Sequence, residues 1–260
     1  MSRERAELPM EQITSFQNPK YRNLGKLHSK KHRDAMSLFI VEGEKEITFA
    51  LRNGYVCQEL WGTEEKLEVI NVETAKYLIN RGMFEKIGYR EKTESILGVF
   101  QKKDEQIDLS GAENILVCEK IEKPGNIGAL FRIADGAGAD LIVFTEQDTD
   151  IYSPNVIRNS VGTFFSTKFG CIDKENLYIG LKKHGVEIMV ATPEATNPYY
   201  KENLSVKSAL VVGSEHNGVS DYWKEKADIK LSIPMLGEND SLNVGISVAV
   251  VMYEKVRQLS

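Results

Sequence analysis

Cysteine is scarce in this chain: Cys57, Cys118 and Cys171 are the only three in 260 residues, far apart and nowhere in a CxxC pair. An odd number at such spacing suggests neither a disulfide framework nor a zinc site. Long apolar runs are missing too, none approaching the roughly 18 residues of a membrane span. The charged start MSRERAELPMEQ has no signal-peptide core. The expectation is a cytoplasmic protein with no membrane partner. Gly125, Gly128, Gly136 and Gly138 cannot be read as GxGxxG, so the fingerprint of a nicotinamide-dependent Rossmann enzyme is absent. Excess positive charge is lacking as well. A net charge of −5 argues, at first, against a nucleic-acid partner.

The distribution of charge changes that argument. Residues 1–110 hold 18 Lys and Arg against 18 Asp and Glu, so the whole deficit falls in residues 111–260. Within the neutral part, KYRNLGKLHSKKHR carries Lys20, Arg22, Lys26, Lys30, Lys31 and Arg33 without one acid. Such a cluster is an electrostatic footprint for phosphates, or else a solvated basic helix or arm. If it holds RNA, binding should weaken steeply with salt.

After the basic stretch, LFIVEGEKEITFALRNGYVCQELWGT predicts a strand over 38–41, a helix over 44–53 and a second strand near 56–61. A helix over 72–80 and an apolar run over 96–100 complete a small α/β unit. The polar stretch QKKDEQIDLSGAE reads as a linker, which divides the chain at 105/106. Beyond it strands and helices alternate, as βαβ units with a mainly parallel sheet do.

Polar and glycine-rich loops follow several of these strands, at the sheet edge where ligands of open α/β sheets bind. EKIEKPGNIGALFR follows the strand over 115–121 and carries Asn126, read as a helix start, and Arg132. VATPEATNP carries Thr192. ALVVGSEHNGVS turns at Gly213 and carries Glu215 and His216, a loop histidine with no second ligand at metal spacing. IKLSIPMLGENDSLNVGIS breaks at Pro234 and is read as resuming as an apolar helix from Ser241, with polar Ser241 and Asn243 in its first turn.

NIGALFR, GSEHNGVS and IPMLGENDSLNV, in that order, closely resemble the three motifs of the SpoU-type RNA ribose 2′-O-methyltransferases of the SPOUT class. The resemblance covers about the last 150 residues, and FIVEGEKEITFAL is similar to the L30e-like substrate-binding module that many of these enzymes carry. It implies an RNA-binding domain over 1–105 and, over 106–260, an α/β domain closed into a deep trefoil knot. It implies S-adenosylmethionine held by Gly213, Ile233, Leu242 and Asn243 with Thr192 beside them, and a homodimer with the site at its interface. Arg132 matches the family's catalytic arginine, with Asn126, Glu215, Ser241 and Asn243 orienting it, the nucleotide and the methionine moiety. The expected substrate is large-subunit ribosomal RNA; transfer RNA, or RNA binding without catalysis, are the alternatives. Lys123 and Gly245 depart from the usual motif residues.

Overall fold

A computed structural model describes residues 10–88, 95–103, 107–214 and 216–260. The chain packs as two units, one formed by Met1–Asp104 with Tyr152–Phe165, the other by Glu105–Ile151 with Ser166–Ser260.

The first unit runs β1 (Glu11–Gln12), α1 (Pro19–Lys26), α2 (Lys30–Met36), β2 (Leu38–Glu42), α3 (Glu44–Arg52), β3 (Cys57–Gly62), α4 (Glu64–Val69), β4 (Ala75–Leu78), α5 (Arg81–Ile87) and β5 (Ile96–Gln101). Its sheet has the order β1-β4-β3-β5-β2, with β4 parallel to β1 and β3 and with β5 antiparallel to β3 and β2. The basic stretch is folded into α1 and α2. Asn18 caps α1 by accepting from the Lys20 N–H at 2.9 Å, and Pro19 stands at the first helical position, where its missing N–H costs nothing. Tyr21, Leu24 and Leu27 then bury one face against Met83, Phe84 and Ile87 of α5, and the Tyr21 hydroxyl donates to the Met83 carbonyl at 2.6 Å.

Two expectations fail in this unit. The helix expected over 72–80 is the strand β4, because AKYL pairs in parallel with β3 and the Tyr77 ring lies 4.2 Å from Trp61. Cross-strand packing there outweighs local helix propensity. The 105/106 division also did not anticipate Tyr152–Phe165, whose Tyr152, Phe164 and Phe165 gather around Phe39 at centroid distances of 4.9, 6.2 and 6.5 Å. This segment forms α7 (Pro154–Ser160) and opens α8 (Thr163–Ser166), the two separated where Val161 and Gly162 take φ of 53° and 96°.

The second unit continues as β6 (Asn114–Glu119), α6 (Pro124–Gly136), β7 (Leu141–Thr145), β8 (Phe169–Cys171), α9 (Lys174–Lys183), β9 (Glu187–Ala191), β10 (Ser208–Val212), α10 (Asp221–Lys226), β11 (Ile229–Leu231) and α11 (Val244–Leu259). Its six strands lie in the order β11-β9-β10-β6-β7-β8, and every pairing is parallel. That is why ILVC, LIVF and ALVV are continuous apolar runs: helices cover both faces. Leu177, Leu181 and Trp223 of α9 and α10 pack against the alternate strand residues Ile115, Val117, Val211 and Val190, while Phe131 of α6 meets Phe144 and Phe169.

Lys255 belongs to the buried side of α11, and its ammonium donates to the carbonyls of Glu113 and Val206 and to the Ser208 hydroxyl. Burial pushes its pKa down. No helix among the described residues is long and apolar enough to cross a membrane.

Candidate active site

Parallel register brings the strand ends to one edge. Val212 lies opposite Cys118 and Val211 opposite Val190, so the next residues along, Gly213, Glu119 and Thr192, come out near one level. Leu231 pairs with Ala191 and accepts from the Thr192 N–H at 3.0 Å, which puts Ile233 just beyond the same edge.

The loop after β10 is held tightly. A Cβ on Gly213 would lie 2.0 Å from the Gly218 carbonyl oxygen and 2.3 Å from the Val219 nitrogen. The Gly218 N–H donates to the Ser214 carbonyl at 2.9 Å, and the Asn217 N–H to the Ser214 hydroxyl at 3.1 Å. The exit of the loop is tied to β6: the buried Glu119 carboxylate accepts from both the N–H and the hydroxyl of Ser220. The loop after β6 is tied by Gln147, which both accepts from the Ile121 N–H and donates to its carbonyl, at 3.0 and 2.7 Å.

Asn126 and Asn243 meet, the Asn243 amide donating to Asn126 Oδ1 at 3.1 Å while its own Oδ1 accepts from the Gly245 N–H. Both helix starts differ from expectation. Lys123 is the N-cap of α6 and Pro124 its first residue, so Asn126 sits inside the first turn. Asn243 is itself the N-cap of α11, which begins at Val244, because its side chain takes the free Gly245 N–H; Ser241 and Asn243 therefore precede the first turn. Gly245 lets α11 come close to α6, a Cβ there standing 3.6 Å from that of Ala129.

Arg132 is exposed on α6 and, among the described residues, its side chain enters no hydrogen bond or ion pair. Ser241 is exposed beside Asp240. Glu215 lies outside the described residues. Thr192 and Gly213 are buried, Ile233 is half-buried and Leu242 exposed. Among the described residues the main-chain groups of Gly213, Ile233 and Leu242 make no hydrogen bond. Buried main-chain groups in native proteins nearly always have partners. Gly213 is buried at a strand end, while Ile233 and Leu242 lie on the one segment between β11 and α11.

The basic residues of the first unit behave unequally. Arg22 and Lys31 are exposed and, among the described residues, enter no ion pair. Lys20 pairs with Glu11, Lys26 donates to Asn23, and Lys30 bonds Asp34 at 2.8 Å. Arg33 departs from the expected phosphate contact: it is buried, and its guanidinium donates to the Leu27 carbonyl at 2.6 Å. Its place is structural.

Asp34 also accepts from Lys102 at 2.6 Å, and these hydrogen bonds, Lys102 first and Lys30 second, hold its carboxyl below the usual range. A lowered folded pKa stabilises fully above the unfolded pKa, and the contribution is lost as pH falls through the folded value. With the pair half-exposed, Asp34→Asn should cost no more than about 1 kcal/mol near neutral pH. Urea unfolding at a series of pH values should show the gap closing once wild-type Asp34 is protonated. A pH-independent gap would rule out the charge as its cause.

Two family models match the chain: the SpoU rRNA Methylase family over residues 113–253 and the MRM3-like substrate binding domain over residues 18–98. The 23S rRNA (guanosine(2553)-2′-O)-methyltransferase RlmP of Bacillus subtilis (strain 168) is 30% identical, across 94% of this chain and 98% of its own. A crystal structure of an RNA 2′-O ribose methyltransferase matches with a TM-score of 0.83 at 34% identity, covering 95% of this chain and 99% of its own. The AdoMet-bound rRNA methyltransferase from Sinorhizobium meliloti matches with a TM-score of 0.86 at 25% identity, covering 96% and 99%.

Proposed function

The chain belongs to the SpoU rRNA methylase family, and we propose that it transfers a methyl group from S-adenosylmethionine to a ribose 2′-hydroxyl of large-subunit ribosomal RNA. The observation that carries this reading is the convergence at one sheet edge of Gly213, Thr192 and Ile233 with the bonded pair Asn126 and Asn243. Similarity to the Bacillus subtilis 23S rRNA enzyme over 94% of this chain, N-terminal part included, favours ribosomal RNA over tRNA.

When bound, S-adenosylmethionine supplies a methyl carbon on a positively charged sulfur, from which an attacking oxygen displaces a neutral thioether. The residues of this chain have two tasks, alignment and management of the hydroxyl proton. A guanidinium keeps its proton at any ordinary pH. Arg132 therefore anchors the phosphate and the 2′-oxygen and stabilises the negative charge that develops as the proton departs to solvent water. Asn126 and Asn243 orient the reacting groups, with Glu215 and Ser241 completing the set. Main-chain groups of Gly213, Ile233 and Leu242 hold the cofactor, with Thr192 beside them.

Two subunits form the working enzyme in this reading. An exposed apolar stripe on and before α11, formed by Leu242, Ile246 and Tyr253, supports such a pairing. The knot is supported by the path of the chain. From β11 the backbone must return across the ends of β9 and β10 to reach α6, while the segment that joins β9 to β10 pairs with Ser232 through Asn197 and bonds α11 through Leu204 and Val206. Lys20, Arg22, Lys26, Lys30 and Lys31 position the RNA backbone, and the enzyme works in the cytoplasm.

The test is incubation of the purified protein with methyl-labelled S-adenosylmethionine and separate pools of unmodified ribosomal RNA and tRNA, followed by nucleotide digestion. A labelled 2′-O-methyl nucleotide from the ribosomal pool is the expected result. Label in tRNA alone would replace the substrate, and absence of both transfer and cofactor binding would overturn the reading.

A further inference from the structure

We propose that Glu119 is a positioning residue for cofactor binding, acting through Ser220 to hold the loop after β10 in its binding shape. The proposal rests on the reading that Gly213 and its loop hold S-adenosylmethionine. Glu119 is the last residue of β6 and only 5% exposed, and a buried carboxylate is costly unless it is hydrogen-bonded. Both of its bonds go to one residue 101 positions away: Oε2 accepts from the Ser220 N–H at 2.8 Å and Oε1 from the Ser220 hydroxyl at 2.7 Å. Ser220 stands at the N-cap of α10, where serine ordinarily accepts from a helix N–H, yet it makes no side-chain cap bond. Its hydroxyl serves the carboxylate instead.

The consequence lies two residues back. Gly218 is pressed against Gly213, with its carbonyl oxygen where a Gly213 Cβ would stand, and Gly213 continues the strand that pairs with β6. The loop is thus pinned at its entry by β10 and at its exit by Glu119 of the neighbouring strand. Without the carboxylate, residues 218–220 lose their tie to the sheet, and the main-chain groups of Gly213 lose the neighbour that sets their direction. Glu119 acts at one remove and is not a catalytic residue.

Calorimetric titration of S-adenosylmethionine into the full-length wild type, Glu119→Ala, Glu119→Gln, Ser220→Ala and the Glu119→Ala/Ser220→Ala double variant tests this. Glu119→Ala should weaken binding roughly 10-fold or more, the equivalent of one hydrogen bond, and raise KM for the cofactor without changing KM for RNA. Ser220→Ala should show a smaller loss in the same direction, and the double variant should bind no worse than Glu119→Ala, because the two side chains act as a unit. Glu119→Gln should restore most of the affinity: its amide oxygen can accept from the Ser220 N–H while its amide nitrogen donates to the Ser220 hydroxyl. Should Glu119→Ala fail to fold, Ser220→Ala and Glu119→Gln carry the test. Wild-type affinity in a folded Ser220→Ala, or loss without rescue in Glu119→Gln, overturns the clasp while wild-type binding keeps the functional reading. A wild type that does not bind S-adenosylmethionine overturns both.

Discussion

Arg132→Ala should lose methyl transfer by a factor of roughly 100 to 1,000 in kcat, the usual effect of removing one preorganised donor that faces developing charge. Cofactor affinity and thermal stability should both stay close to wild type. Stability holds because the side chain is exposed and, among the described residues, has no hydrogen bond or ion pair to lose, and surface changes of that kind cost within about 0.5 kcal/mol. Loss of an interaction made only in the transition state lowers kcat and kcat/KM together. Arg132→Lys keeps the charge but not the planar fork, so it should recover only part of the rate. Single-turnover transfer at saturating RNA and cofactor is the measurement. Appreciable turnover in Arg132→Ala would remove the arginine from the mechanism.

Apolar pattern carried most of the second unit's fold. The runs ILVC, LIVF, EIMVA and ALVV are all observed as strands, and continuous burial on both faces made them visible as strands without any alternation. Helix boundaries were less legible, because which polar residue caps a helix depends on where the helix packs. Pro124 was the better marker for α6, and an asparagine at 243 with a small residue two positions on was the better marker for α11. In the first unit the conflict was between propensity and pairing: AKYL is a passable helical segment until β3 and β1 take it up on both sides.

The candidate site was legible where its residues stand in loops after apolar strands, and hidden where the chemistry is tertiary. Nothing local distinguishes Arg33, buried on the Leu27 carbonyl, from the exposed Arg22 and Lys31. Glu119 did carry a signal, an acid that ends the run ILVCE, but its partner lies 101 residues away and no spacing rule connects them. Lys255 was visible as a charge on the buried side of an apolar helix, at the heptad position of Val248. Its three acceptors were not.

Gly213→Ala should be the most damaging small substitution in the second unit. A Cβ there meets main-chain atoms, the Gly218 oxygen at 2.0 Å, its carbonyl carbon at 2.1 Å and the Val219 nitrogen at 2.3 Å. Overpacking a core usually costs about 1–3 kcal/mol because side chains can give way. Here the neighbours are backbone, and they are held on their far side by Glu119 and by the Gly218 N–H bond to Ser214. Relief requires the loop to leave the sheet edge, and the main-chain groups proposed to hold the cofactor leave with it. The expected outcome is a loss of S-adenosylhomocysteine affinity of about 100-fold or more, near 3 kcal/mol, with a clear drop in Tm. Gly218→Ala is the control. Its Cβ would enter open space, so its cost is that of a left-handed alanine at φ 65°, about 1–2 kcal/mol, with the loop still in place and affinity largely retained. If Gly213→Ala binds as tightly as Gly218→Ala, the loop is not what holds the cofactor, and the assignment of Gly213 falls.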